Sequence, residues 1–255
     1  DGYPEGTTFV YRSANQYAGR AAARLNTNIF VYAPEHFENK DDAMAYLKDL
    51  GLIKLIDEAV GSIVLVTPIG DSFDMADVAS YYALQTAMLS QKEAKRLEDG
   101  NAIYYSDAEY FGGYGFEYFI GIDDGATFFN NYIAPEIDFS GRMAGVLLFG
   151  GDMQRTRQPA TFVPIALVNS DEAIVSKYRA VNGVNAQDVM DGRVVSYNQQ
   201  WPLRKVIDIS EEIVDKAALI EEVYRGMMVK AMRVPVLTQG MNSAGTPYSG
   251  YGFDE

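Results

Sequence analysis

Histidine is nearly missing from these 255 residues, and cysteine is missing altogether. Without cysteine the chain has no disulfide, no thiol nucleophile and no thiolate metal site, although this leaves the compartment open. A secreted or extracellular setting is slightly favoured, and Asp1-Gly2-Tyr3-Pro4 carries neither a basic nor an apolar leader pattern. With one histidine, His36, any proton shuttle through imidazole has a single candidate. Basic residues are scarce as well: 21 Lys and Arg stand against 35 Asp and Glu, a net charge of −14. Such a surface repels phosphate backbones, which argues against a nucleic-acid partner. No apolar run approaches the roughly 20 residues of a membrane-spanning helix.

What is present suits a globular core. Apolar residues make up 48% of the chain, with 18 tyrosines and 13 phenylalanines. The run Ser62 to Ile69 is almost uniformly apolar, as a parallel strand buried on both faces should be. Asn28 to Ala33, Phe116 to Gly121, Met143 to Gly150 and Val163 to Val168 read similarly, and Thr7 to Ser13 alternates like an edge strand. Helical patterns run over Lys40 to Val60 with a break at Gly51, Asp74 to Leu97, Glu172 to Val181 and Glu211 to Met232. Short strands are expected at Val194 to Tyr197, Lys205 to Ile209 and Val234 to Leu237. Strands alternating with helices imply one α/β domain over residues 1–239, a mostly parallel sheet with helices on both faces. Residues 240–255 have the composition of an irregular tail or linker.

The most informative stretch is Gly121-Ile122-Asp123-Asp124-Gly125, between an apolar strand and an apolar helical run. A strand turning sharply into a helix, with glycines two residues either side of the apex, is the layout of a nucleophile elbow, G-x-S-x-G. Here the apex is Asp123, so the spacing is that of a hydrolase while the central chemistry differs.

The element order, these spaced glycines and Val163-Pro164-Ile165 ahead of Asp171 resemble the α/β-hydrolase superfamily. Tyr178-Arg179-Ala180-Val181-Asn182-Gly183 resembles a Y-x-x-x-N-G signature of its polyhydroxybutyrate-depolymerase and feruloyl-esterase branch. The resemblance covers roughly residues 25 to 232. It implies hydrolysis of carboxylic esters, with a small ester or polyester as ligand. By position it puts Asp123 in the nucleophile's place, Asp124 as an oxyanion-hole N–H and Asp171 as the triad acid. Pro34-Glu35-His36 falls where the family's oxyanion loop lies. The family's late histidine, expected after about Ile209, has no counterpart from Ser210 to Glu255.

Three readings of Asp123 follow. It could attack as a carboxylate, as in the haloalkane-dehalogenase and epoxide-hydrolase branch, but the resulting ester needs a base-activated water. It could belong to a serine-type esterase using Thr127 or Ser170, neither of which sits at the apex. The favoured reading is a degenerate hydrolase, catalytically weak or inactive; the alternative is a non-catalytic binding or interaction domain of a larger protein, with an adjoining domain or an oligomer as its partner. His36 is expected to be structural or exposed. Asp71, Asp123, Asp124, Asp152 and Asp171 all follow strands, on the edge where such sheets bind ligands. Bridged together they would suit a divalent cation such as Ca²⁺ or Mg²⁺; dispersed, they are helix caps and no cofactor is expected.

Overall fold

The apolar runs become a central sheet because each can be covered on both faces. A computed structural model describes residues 6–14, 26–89, 91–96, 102–106 and 116–231. In chain order these contain β1 (Thr8–Arg12), β2 (Thr27–Tyr32), α1 (Lys40–Asp49), α2 (Leu52–Ala59), β3 (Gly61–Val66) and α3 (Met75–Leu89). A hairpin of β4 (Gln91–Arg96) and β5 (Ala102–Ser106) precedes β6 (Glu117–Ile122). Then come α4 (Asp124–Phe128), a π-helical turn (Phe129–Ile133), α5 (Ile137–Ser140) and β7 (Met143–Phe149). The remainder is β8 (Ile165–Val168), α6 (Glu172–Asn182), β9 (Ala186–Met190), β10 (Arg193–Tyr197), β11 (Lys205–Ile209), α7 (Lys216–Gly226) and a 3-10 turn (Met228–Lys230).

Among the described residues the main sheet has nine strands in the order β1-β3-β2-β6-β7-β8-β11-β10-β9. The six strands from β3 to β11 run parallel; β1 is antiparallel at one edge and β10–β9 form an antiparallel extension at the other. All residues of β2, β3, β6, β7 and β8 are buried. Alternation sends Ile29, Val31, Leu65 and Ile120 to a core closed by α1, α2 and α7. Phe30, Tyr32, Val64 and Phe119 face a second core closed by α3, α4 and α6. The mostly parallel sheet with helices on both faces is thus observed.

Local chemistry sets the helix ends. Asn39 caps α1 by accepting from the Asp41 and Asp42 N–H groups at 2.8 and 3.0 Å. Gly51, at φ 71°, separates α1 from α2 where the sequence placed a break.

Three expectations need correction. The helical reading of Asp74 to Leu97 is too long: α3 ends at Leu89, and Gln91–Arg96 pairs antiparallel with β5. Its Lys, Glu and Ala favour helix weakly, and strand pairing overrides so small a preference. The last helix begins at Lys216, not Glu211, because the Asp215 carboxylate accepts from the Ala218 N–H at 2.9 Å and caps it there. It ends at Gly226, short of Met232, before the 3-10 turn. Strands β5 and β9 were not foreseen; β9 shows no apolar alternation because nearly all of it is exposed. The strand expected at Val234 to Leu237 and the tail 240–255 lie outside the described residues.

Candidate functional site

Counted along the chain, the strands β3-β2-β6-β7-β8 follow the order 2-1-3-4-5. The direction of progression reverses between β2 and β6, and the crevice beyond their carboxyl ends is where doubly wound sheets bind ligands. Two segments meet there: the turn at Asp123 after β6 and the loop Ala33 to Asn39 after β2.

The turn at Asp123 is strained. Asp123 adopts φ 47° and ψ −104°, a conformation L-residues rarely take, directly before α4. Its N–H is held by the Phe149 carbonyl at 2.8 Å, and its own carbonyl accepts from Ala126 and Thr127 at 3.1 and 3.0 Å. The backbone is therefore clamped from both sides while the side chain stays exposed. Close approach explains the flanking glycines. A Cβ on Gly121 would stand 2.8 Å from the Ala126 Cα, and one on Gly125 would run into the Tyr32 carbonyl oxygen. Tyr32 also anchors α4 by stacking on Phe128, with ring centroids 5.4 Å apart.

The Asp124 carboxylate turns away from the apex and accepts from the Phe73 N–H at 2.5 Å. It thereby ties α4 to the loop after β3, which Asp77 also holds through the Ile69 and Asp74 N–H groups at 3.0 and 2.9 Å. Thr127 is committed to structure: its hydroxyl accepts from the Asp152 N–H at 3.0 Å and donates to the Asp123 carbonyl at 3.3 Å. Ser170, whose Oγ is buried, lies beyond β8 rather than at the apex.

One contributor escaped the sequence reading. Tyr46 of α1 reaches the crevice, where its hydroxyl hydrogen-bonds Glu35 and lies within the field of Asp123. Burial first, then the charge and hydrogen bond of Glu35, and last the charge of Asp123 push the Tyr46 phenol well above its ordinary range. The Phe37 ring packs 5.1 Å from Tyr46 and edge-on to Phe9 at 5.9 Å, so the loop carrying Glu35 and His36 is pinned at two points. In the sequence Tyr46 is one more periodic residue of an amphipathic helix; only the crossover from β2 to α1 brings it to Glu35.

The remaining candidates share the edge without converging. Glu35 and His36 are exposed in the loop next to β6. Asp171 begins α6 beyond β8, with β7 between it and the elbow strand, so it is not at an adjacent strand end. Asp71 is exposed after β3, and Asp152 is exposed after β7. Among the described residues no three His, Asp or Glu side chains stand close enough to share a metal ion. The crevice therefore offers an exposed carboxylate at a clamped apex, a second carboxylate held by a phenol, and first-turn N–H groups of a short helix. No protein-family model matches the chain, and no curated protein sequence matches it.

Proposed function

We propose that the chain is an α/β-hydrolase-type domain, of the esterase and depolymerase kind, in which the elbow has lost ester hydrolysis. On this reading it is a non-catalytic binding or interaction domain whose elbow crevice meets the ligand. The observation that carries it is Asp123: a non-glycine residue at φ 47° on the apex between β6 and α4, at the point where strand order reverses. That backbone is the one an elbow needs to lift its side chain into a crevice, and here it lifts a carboxylate. Hydrolysis through a hydroxyl would need a serine at the apex and an imidazole to take its proton. The chain's one histidine lies in the loop after β2, and the segment following β11 is Ser210-Glu211-Glu212. Two carboxylates near Tyr46, Glu35 and Asp123, would also oppose the negative charge that develops on a tetrahedral intermediate.

The purified chain should not hydrolyse short p-nitrophenyl esters above background, and a fluorophosphonate probe should leave it unlabelled. A robust rate abolished by one serine substitution would sink the reading. The exposure of Asp123 favours a second reading, a carboxylate nucleophile. A rate lost in Asp123→Asn but kept in serine variants would select it.

A further inference from the structure

Strand β9 ends the nine-stranded order, and among the described residues no strand pairs with its outer side. The direction of its backbone groups follows from its neighbours. The Asn198 N–H donates to the Arg204 carbonyl at 3.0 Å, so the alternate residues of β10, Val194 and Ser196, bond toward β11. Arg193, Val195 and Tyr197 therefore bond toward β9, and the Tyr197 carbonyl accepts from the Asn185 N–H at 3.0 Å. Their register partners are Met190, Asp188 and Ala186. The turn agrees: Asp191 and Gly192 both take positive φ, 51° and 82°, closing a two-residue hairpin on the Met190–Arg193 pair. Gln187 and Val189, which alternate with the inward-bonding residues, turn their N–H and C=O groups away from the sheet.

Such an edge is usually blunted by lysine, proline or a bulge. Strand β9 contains neither residue, pairs with β10 without a shift in register, and leaves Val189 69% and Met190 59% exposed. What guards it is Asp188, which the Tyr197 hydroxyl hydrogen-bonds and holds on the strand. In a pairing with a second copy, the antiparallel register that joins Gln187 to Val189 twice sets Asp188 opposite Asp188 of the other copy. That position is not hydrogen-bonded, so the facing side chains are close and like charges repel. The net charge of −14 on each copy adds to the repulsion. A strand with a lysine or arginine at that point is attracted instead, and Asp191 extends the acidic edge into the turn. The cations nearby lie inside the edge: Arg193 is bonded to Glu211 and Glu222, Lys205 is engaged on β11, and Lys230 belongs to the turn after α7.

We infer that the β9 edge accepts an extended, basic segment of a partner protein as a tenth strand. The segment lies antiparallel, bonds the backbones of Gln187 and Val189, and places a lysine or arginine opposite Asp188. The site is separate from the elbow and does not rest on the reading of Asp123.

The test titrates the full ¹⁵N-labelled chain with a capped peptide, Lys-Thr-Val-Lys-Val-Thr-Lys, whose central lysine meets Asp188 when its valines pair with Gln187 and Val189. The amide signals of Gln187 and Val189 should move saturably, and their hydrogen exchange should slow. The same peptide with both valines N-methylated loses those bonds and should not bind, nor should a version with glutamate in place of each lysine. Asp188→Lys, a change at an exposed position, should weaken binding of the lysine peptide by about tenfold and give the glutamate peptide a measurable affinity. Absence of saturable binding overturns the inference, as does equal binding of the N-methylated or the glutamate peptide. Unchanged affinity in Asp188→Lys is equally fatal. So is a concentration-dependent dimer whose Gln187 and Val189 amides are protected without peptide, because the edge then belongs to a second copy.

Discussion

Two carboxylates bracket β6, and their fates are opposite. Glu117 opens the strand and is 4% exposed; Asp123 follows its last residue and is open to solvent. Burial pushes the Glu117 carboxyl up to about 7, with Arg142 pulling only partly back. Glu117 sits in a row with Ser62 and Asn28, both fully buried, across the amino ends of β3, β2 and β6. At the carboxyl ends strain replaces burial: Asp123 and Asn169 both take positive φ where their strands stop. One end of the sheet hides polar groups inside a packed layer. The other spends backbone strain on lifting them out, as candidate ligand sites in parallel sheets do.

Glycine does not distinguish the two ends. A Cβ on Gly125 would strike the carbonyl of Tyr32, the last residue of β2, and a Cβ on Gly61 would strike that of Thr27, the first. Both are therefore packing positions, and the elbow spacing of Gly121 and Gly125 is evidence of close approach before it is evidence of chemistry. Gly125→Val should produce the largest loss, on the order of 3 kcal/mol, because backbone rather than a movable side chain is in the way. Urea denaturation measures it. A Gly125→Val chain as stable as the parent would remove the close approach and with it the structural case for an elbow.

The next effect belongs to Glu117 and depends on pH. Its folded value, about 7, lies above its ordinary 4.5, so the folded state holds the proton more tightly than the unfolded chain. The stability this contributes is complete below about pH 4.5 and is lost as pH rises through about 7. Glu117→Gln cannot ionise and should be insensitive to that change. Relative to the parent it should gain about 3 kcal/mol between pH 4.5 and about pH 8, read from denaturation midpoints at the two pH values. Parallel pH profiles for the two proteins would mean that Glu117 is solvated or paired in a way its burial contradicts.

Much of this architecture was legible because it rests on periodicity. The uniformly apolar runs at Ser62 to Ile69 and Met143 to Gly150 could be satisfied only by strands covered on both faces. The break at Gly51 was visible because only glycine readily takes that φ. The turn at Asp123 could be placed, but not the cluster around it. Tyr46 meets Glu35 through a crossover connection, and pairing across a crossover leaves no mark on local spacing. Strand β9 was illegible for a related reason: as an exposed edge it buries no alternating face, so no apolar pattern was needed. The acids were expected along one edge from the strand pattern alone, and strand order, which that pattern does not reveal, keeps Asp171 two strands from Asp123.

The smallest expected effect tests whether strain at Asp123 is real. Asp123→Gly should stabilise the chain by about 1 kcal/mol, since glycine accepts φ 47° without a Cβ clash while giving back some unfolded-state entropy. Asp123→Ser should leave stability nearly unchanged, because serine keeps the Cβ and the same backbone. Asp123→Asn removes only the charge and isolates its contribution, which screening at an exposed site keeps small. Thermal unfolding of the three variants separates these causes. If Ser and Gly stabilise equally, the carboxylate rather than the backbone carries the cost. If neither does, the clamp from Phe149, Ala126 and Thr127 holds that turn without strain, and the apex loses its distinction from the other strand ends. Asp123→Ser should also remain inactive toward esters, because the apex hydroxyl would still have no imidazole placed to take its proton; turnover in that variant would locate a base that the sequence and the crevice do not reveal.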